Sequence, residues 1–209
     1  CAGFAMAQQV PRVLGVQQYR QQVKAHPNKR LVEPAKVIPG LQLDIRYATA
    51  NNFMHRKMYT QARAFARAPV AAALKAVQAD LKLHGLGLKI FDAYRPYAVT
   101  VAFYKLAPDP NFVADPQYGS KHNRGCAIDL SLIDLKTGKE LAMPTGFDSF
   151  SRKAAANYRA LSPLQLKNRE LLKSVMQAHG FKVLRTEWWH YDFNGWQNYE
   201  LLDVPFERL

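Results

Sequence analysis

Two short stretches hold residue types that can carry out hydrolysis together, 120–130 (SKHNRGCAIDL) and 186–193 (TEWWHYDF). A catalytic zinc takes three protein ligands from His and Asp/Glu and keeps a fourth position for water. A carboxylate beside it must take the proton when water attacks, and a positive group must hold the oxyanion that develops. His122 and Asp129 are separated by Gly125, with the chain entering a strand at Cys126. A turn through Asn123-Arg124-Gly125 folds His122 back over the start of that strand, on the side where Asp129 emerges. His190 supplies a third ligand if its strand neighbours the first. Glu187 lies three residues earlier, and side chains three apart on a regular strand face opposite ways. The chain must therefore bend between Glu187 and His190, with Trp188-Trp189 as the anchor.

Each half alone has a plainer reading. A single His–Asp pair is most simply a structural hydrogen bond, and Glu-Trp-Trp-His a strand with core tryptophans. Both together, with an Arg-Pro turn at Arg95-Pro96 after a central strand, favour a metal site. Cys126 is a thiol between two candidate ligands, but its parity on the strand opposes Asp129, so it reads as core. His26, His55, His84 and His179 have no partner at ligand spacing. His84 and His179 each precede a Gly at a helix end, where a cation suits the dipole.

The sequence resembles the zinc D-alanyl-D-alanine dipeptidases of the vancomycin-resistance type, within the wider group of D,D-peptidases. The likeness rests on SxHxxGxAxD at Ser120, His122, Gly125, Ala127 and Asp129, and on ExxH at Glu187 and His190. It continues in Leu43-Asp44-Ile45-Arg46-Tyr47-Ala48-Thr49 with Asn52-Phe53, in Asp92-Ala93-Tyr94-Arg95-Pro96 and in Phe147-Asp148, across roughly residues 40–195. The resemblance implies one Zn2+ per chain held by His122, Asp129 and His190. It makes Glu187 the general base that then passes its proton to the leaving amine, and Arg95 the group that stabilises the tetrahedral intermediate. An ion pair of Arg95 with Asp92 that fixes the turn is compatible with that role. Ser120, Asp92 and Asp148 are expected to orient ligands or the substrate's ammonium, and Tyr47 and Asn51–Arg56 to line the pocket.

The elements that must position these residues follow from periodicity and punctuation. Leu41–Tyr47 alternates apolar and charged residues as a half-buried strand. Asn51–Arg67 reads as a long loop, Pro69 opens a helix over Val70–His84, and Leu86–Phe91 is a strand. A turn at 92–96 leads to a helix over Tyr97–Leu106. Residues 107–120 form a loop, and Cys126–Leu132 is an apolar strand with a hairpin turn at Asp134–Lys139. Pro163 starts a helix through Ala178, with Gly180 ending it. Phe181–Leu184 and Trp188–Phe193 close as strands. This order implies an α+β fold: one domain, a small and mostly antiparallel sheet with helices packed on one side, and the zinc site at the sheet.

The chain has 209 residues with 29 Lys+Arg against 16 Asp+Glu, a net charge of +13, and 48% hydrophobic residues. That is the size of one ordinary domain, which needs neither disulfides nor metal merely to fold. No window reaches the roughly 18 apolar residues of a membrane span. The basic residues are scattered, with no block of five like charges, so nucleic-acid binding is not indicated and weak adsorption to an anionic envelope surface is. Ala5-Met6-Ala7 before Gln8-Gln9 reads as the end of a signal peptide over residues 1–7, which points to a periplasmic or secreted protein. A lipoprotein with Cys1 lipidated and a cytoplasmic protein are the alternatives. Residues 8–40, with four prolines, read as an N-terminal arm with one helix at Val16–Ala25, and 41–209 as the catalytic domain.

Three functions fit this pattern. The first is a zinc dipeptidase acting on a small D,D-dipeptide in a closed cavity. The second is a D,D-carboxypeptidase or endopeptidase that trims peptidoglycan stems. The third is a zinc-containing binding module without catalysis, against which an intact Glu187 and Arg95 argue. Oligomeric state is not legible.

Overall fold

The computed structural model describes residues 11–107 and 113–209, so the leader-like residues 1–7 lie outside the described residues. Val13–Leu14 (β1) precedes the helix Val16–Ala25 (α1), followed by Leu31–Val32 (β2), the short helix Pro34–Val37 (α2) and Gln42–Leu43 (β3). Ala66–Arg67 (β4) runs directly into Ala68–Lys82 (α3), where Pro69 sits in the first turn and sacrifices no hydrogen bond. Leu86–Asp92 (β5), Tyr97–Leu106 (α4) and Ala127–Asp134 (β6) come next. Pro163–Ala178 (α5) is opened by a reciprocal capping box between Ser162 and Gln165. Phe181–Val183 (β7), His190–Phe193 (β8) and Leu201–Leu202 (β9) complete the chain.

The main sheet has the order β3-β5-β6-β8-β7, with β3 parallel to β5 and every other pairing antiparallel. Along β6, Ile128, Leu130 and Leu132 are buried on one face, and the register sets Leu130 and Leu132 beside Ile90 and Leu88 of β5. α3 and α5 pack on the sheet and on each other, through Val70, Leu74, Val77 and Leu81 of α3 and Leu172 and Met176 of α5. Burying each such aliphatic side chain contributes about 1.5–3 kcal/mol. Asp129 alternates to the opposite face, and the register pairs it with His190 of β8. The α+β architecture expected from the sequence is thus present. Among the described residues no helix is long and apolar enough to cross a membrane.

One irregularity decides the site. Between Ile90 and Asp92 the β5–β6 register shifts by one, so Asp92, not Phe91, lies opposite Asp129. A bulge of this kind inserts one residue and re-aims the side chains beyond it. Asp92, Asp129 and His190 therefore share one rung across three adjacent strands.

Several elements differ from their expected extent. The strand expected over Leu41–Tyr47 is only Gln42–Leu43, because a 3-10 turn at Arg46–Ala48 swings Tyr47 into the interior. β8 starts at His190 rather than Trp188, which leaves Glu187 in the turn before it. The turn at Asp134–Lys139 returns only as an isolated bridge from Ile133 to Glu140.

Residues 11–40 fold against the body. β1 pairs in parallel with β9, and β2 antiparallel with β4. The buried Arg67 guanidinium donates to the carbonyls of Lys29, Arg124 and Glu200, tying this segment and the C-terminal segment to the turn that carries His122.

Candidate active site

His122 stands on a single 3-10 turn, His122–Arg124, closed by Gly125 at φ +68°. A Cβ at Gly125 would meet Leu31 at 2.6 Å, so both conformation and space require glycine there. Ser120 Oγ accepts the His122 backbone N–H at 3.2 Å. Asn123, fully buried, donates through Nδ2 to the Arg95 carbonyl (2.9 Å) and to Thr100 Oγ1 (2.8 Å), and accepts the Ser120 N–H through Oδ1 (2.8 Å). The Arg95 N–H in turn donates to the His122 carbonyl at 3.1 Å. The turn bearing His122 and the turn bearing Arg95 are thus laced into one unit.

Three ligand-type atoms meet inside this frame. His122 Nε2 and His190 Nδ1 are 3.1 Å apart, and Asp129 Oδ1 lies 3.4 Å from the first and 3.1 Å from the second. The outer ring nitrogens are committed elsewhere. His122 Nδ1–H donates to the Ala93 carbonyl at 2.7 Å, and His190 Nε2–H donates to Asp192 Oδ1 at 2.9 Å. This tautomer turns a lone pair of each ring toward Asp129. Asp129 Oδ1 is buried and receives no hydrogen bond. Three acceptors aimed at one point are repulsive unless a positive charge joins them. Burial alone would raise Asp129 and lower His190; instead the histidines hold the Asp129 carboxyl well below its usual range, and the adjacent Asp129 and Asp192 carboxylates push His190 up to about 10, so that without another cation a proton between the rings and Asp129 takes its place.

The spacing fits a metal ion. Tetrahedral zinc with bonds of about 2.0–2.2 Å sets its ligand atoms about 3.3–3.6 Å apart, close to the edges found here. Among the described residues His122, Asp129 and His190 form the one cluster of metal-ligand type, and all three are buried.

Glu187 Oε2 lies 3.7 Å from His190 Nδ1. The bend that parity required is real. Glu187 N–H bonds the Leu184 carbonyl, and the two buried tryptophans pack edge-to-face at 5.5 Å, with Trp188 Nε1 donating to Thr145 Oγ1. Burial pushes the Glu187 carboxyl up to about 8; His190 opposes this, and Asp129 and Asp148 reinforce it.

Arg95 is buried, and its Nε and Nη2 both donate to Asp92 Oδ2, at 3.0 and 2.8 Å. Its guanidinium packs against the rings of Phe103 (4.7 Å) and Tyr47 (5.4 Å) and forms part of the cavity wall. The other Asp92 oxygen accepts from Tyr59 O–H and the Ala93 N–H. Asp92 is therefore occupied in aiming Arg95. Tyr47, buried among aromatic rings, donates its hydroxyl to Asp148 Oδ2 at 2.8 Å. Burial raises the Asp148 carboxyl to about 7, partly offset by that hydrogen bond. Asp148 holds φ +59°, a conformation non-glycine residues seldom adopt.

Together these residues line a cavity of about 250 Å³. That is below the roughly 300–1,000 Å³ of sites for drug-sized ligands. Of the nine residues given individual roles from the sequence, eight line the cavity and Asp92 stands behind Arg95; of the Asn51–Arg56 segment expected to line it, Phe53 alone is among the lining residues. Cys126 is buried outside the cluster, its thiol pushed up to about 12 by burial, as a core cysteine should be. His179 instead pairs with Asp80 at 2.7 Å, joining α5 to α3.

Sequence reasoning missed Asn123, Lys121 and Asp192. Asp192 had a readable signal, since residues two apart on a strand share a face. Its second oxygen accepts from Lys121 Nζ at 2.7 Å, giving a chain Lys121–Asp192–His190. Partners of this kind fix ring orientation and raise ligand basicity. Asp192→Asn should accordingly weaken metal affinity about 10- to 100-fold. Competition with a chromophoric chelator reads this directly, and unchanged affinity would reduce Asp192 to a packing role.

An α+β domain that sets two imidazoles and a carboxylate at metal-ligand spacing, with a buried acid and a guanidinium around one small cavity, has the make-up of a metal-dependent hydrolase. The chain belongs to the peptidase family M15, the D-ala-D-ala dipeptidase family, whose profile matches residues 27–206. It is 37% identical over 176 residues to the D-alanyl-D-alanine dipeptidase of Escherichia coli K12, covering 84% of this chain and 91% of that one. It is 29% identical over 191 residues to the D-alanyl-D-alanine dipeptidase of Enterococcus faecalis V583, covering 82% and 91%. Among solved structures, the LdcB LD-carboxypeptidase overlaps 64% of this chain and 61% of its own at a TM-score of 0.42 and 20% identity.

Proposed function

We propose that this protein is a zinc peptidase that hydrolyses the free dipeptide D-alanyl-D-alanine. The observation that carries the reading is the convergence of His122 Nε2, His190 Nδ1 and Asp129 Oδ1 on one point, with Glu187 beside them. Zinc held by these three residues supplies a Lewis acid and makes water a better nucleophile near neutral pH.

The chain's own groups do the rest. Glu187 takes the proton of the attacking water and delivers it to the nitrogen of the leaving D-alanine. Arg95, fixed by Asp92, leaves Nη1 without a protein hydrogen bond among the described residues; it turns a permanent positive charge on the oxyanion at no cost in reorganisation. Asp148, backed by Tyr47 O–H, takes the substrate's ammonium. A peptide extended at that end lacks the ammonium and leaves the buried carboxylate unpaired, so small size and a charged terminus are selected together. An envelope location, carried only by the leader-like residues 1–7, belongs to the same proposal and is read by cell fractionation.

The test is amine release from D-Ala-D-Ala, from L-Ala-L-Ala and from a pentapeptide ending in D-Ala-D-Ala, each with and without chelator. Chelator-sensitive cleavage of the D,D-dipeptide is expected. Preference for the pentapeptide would move the reading to a carboxypeptidase, and silence on all three with metal bound would sink it. The pH profile adds a further check. Asp148 must be ionised to pair with the ammonium, so kcat/KM should rise with pH through an apparent pKa at or below about 7, the bound cation pulling it down. Asp148→Asn should take one ionisation out of that limb, leaving the ionisation of Glu187, and raise KM more than it changes kcat. A limb of unchanged shape would belong wholly to Glu187 and take the ammonium-binding role from Asp148.

A further inference from the structure

The wall of the catalytic cavity around residues 147–150 has a second side. Phe150 lines both the catalytic cavity and an adjoining groove of about 390 Å³ formed by Arg152, Asn157, Tyr158, Arg185 and Thr186. Its ring packs edge-to-face on Phe53 at 5.6 Å, and Phe53 also lines the catalytic cavity, yet 46% of Phe150 is exposed. One partly exposed aromatic side chain thus stands between the two spaces. The groove is basic: Arg152 and Arg185, both exposed, line it, and no Asp or Glu is among its lining residues. Arg185 and Thr186 immediately precede Glu187, and Arg152 comes two residues after Phe150, so both sides of the groove continue from the catalytic machinery.

We propose that Phe150 divides the dipeptide cavity from a second subsite, in which Arg152 and Arg185 take a carboxylate carried on the N-terminal side of a longer D,D-peptide. This rests on the dipeptidase reading, which sets the substrate's amino end at Asp148, two residues before Phe150. Guanidinium groups favour carboxylates through paired, charge-assisted hydrogen bonds. A neutral extension gains nothing from them. With an acidic extension the reaction is unchanged: water adds hydroxyl to the acyl carbon and a proton to the leaving D-alanine as the same amide bond breaks. Phe150 thereby adds a steric limit on length to the one Asp148 sets through charge, and the arginines set which longer peptides cross it.

The experiment compares D-Ala-D-Ala, N-acetyl-D-Ala-D-Ala and N-succinyl-D-Ala-D-Ala on the metal-loaded wild type, F150A, and F150A carrying R152A and R185A. F150A should raise kcat/KM about tenfold on the succinyl peptide and at most about threefold on the acetyl peptide. The two arginine substitutions should erase the difference, and so should raised salt, which screens exposed charge. Equal gains on both acylated peptides, or none, would overturn the subsite. A separate arm measures binding of N-succinyl-D-alanine by calorimetry to F150A and to F150A carrying R152A and R185A, where about fivefold weaker binding is expected in the triple variant. If the free dipeptide is not cleaved, the dipeptidase reading fails while this arm still decides the subsite: equal affinities reject it.

Discussion

Replacing Glu187 with Gln should lower kcat on D-Ala-D-Ala by about 10³–10⁴-fold, the upper part of the range for a general acid–base group, with bound metal unchanged. Glu187 is buried at 8% exposure, and Oε2 approaches His190 Nδ1 at 3.7 Å. Its position is therefore beside the point where the three ligand atoms converge without being one of them. Burial pushes its carboxyl up to about 8, so both protonation states are accessible near neutral pH, as a group that takes and returns one proton requires. Gln keeps the shape and loses the proton. A carboxyl whose folded pKa is raised is protonated more readily in the folded than in the unfolded state, so its ionisation destabilises the fold as pH rises above the unfolded value. The variant should consequently be at least as stable as the parent at neutral pH. Activity, metal content and thermal melting measured together separate the outcomes: loss of metal along with activity would make Glu187 a ligand or a structural group and end its assignment as base.

The sequence carried the parts of this site that depend on local rules. Helices opened by Pro69 and Pro163 and the helix over Tyr97–Leu106 lie where punctuation and periodicity put them. Asp129 and His190 could be placed together because β6 and β8 pair in regular antiparallel register over Ala127–Asp129 and His190–Asp192. The parts that were not legible came from irregular backbone and from contacts distant in sequence. Alternation along β5 puts Asp92 on the face of Leu88 and Ile90; only the shifted register turns it toward Asp129, and no residue type announces that shift. Alternation puts Tyr47 in a strand, but its side chain is drawn inward by four aromatic neighbours from three other segments, a gain that outweighs extending a two-residue strand. Asn123 looks like a turn residue, and its lacing to Arg95 and Thr100 exists only once α4 is packed.

Removing the metal should abolish hydrolysis and lower the melting temperature by about 8–16 °C, and the gap should widen as pH rises. The size comes from linkage. A ligand at 1,000 times its dissociation constant stabilises by about 4 kcal/mol, and a domain of this length shifts by about 2–4 °C per kcal/mol. The pH dependence comes from the proton that replaces the metal. Without another cation, the facing lone pairs of His122, His190 and Asp129 are joined by a proton on His190, which the two carboxylates hold up to about 10. A histidine whose folded pKa is raised contributes stability that is complete below its unfolded value, near 6.5, and lost as pH climbs toward about 10. The metal-free protein should therefore lose stability across that window. The metal-loaded protein, whose imidazoles are already neutral ligands, should not. His122→Ala removes one of the three converging atoms without adding charge, so it should cost both the metal and its pH-dependent gap, and melting curves with and without chelator at pH 6.5 and 9 measure both. A gap that stays constant with pH would mean that the cluster does not exchange a proton for a metal ion, and with it would go the reading of these three residues as one cation-binding unit.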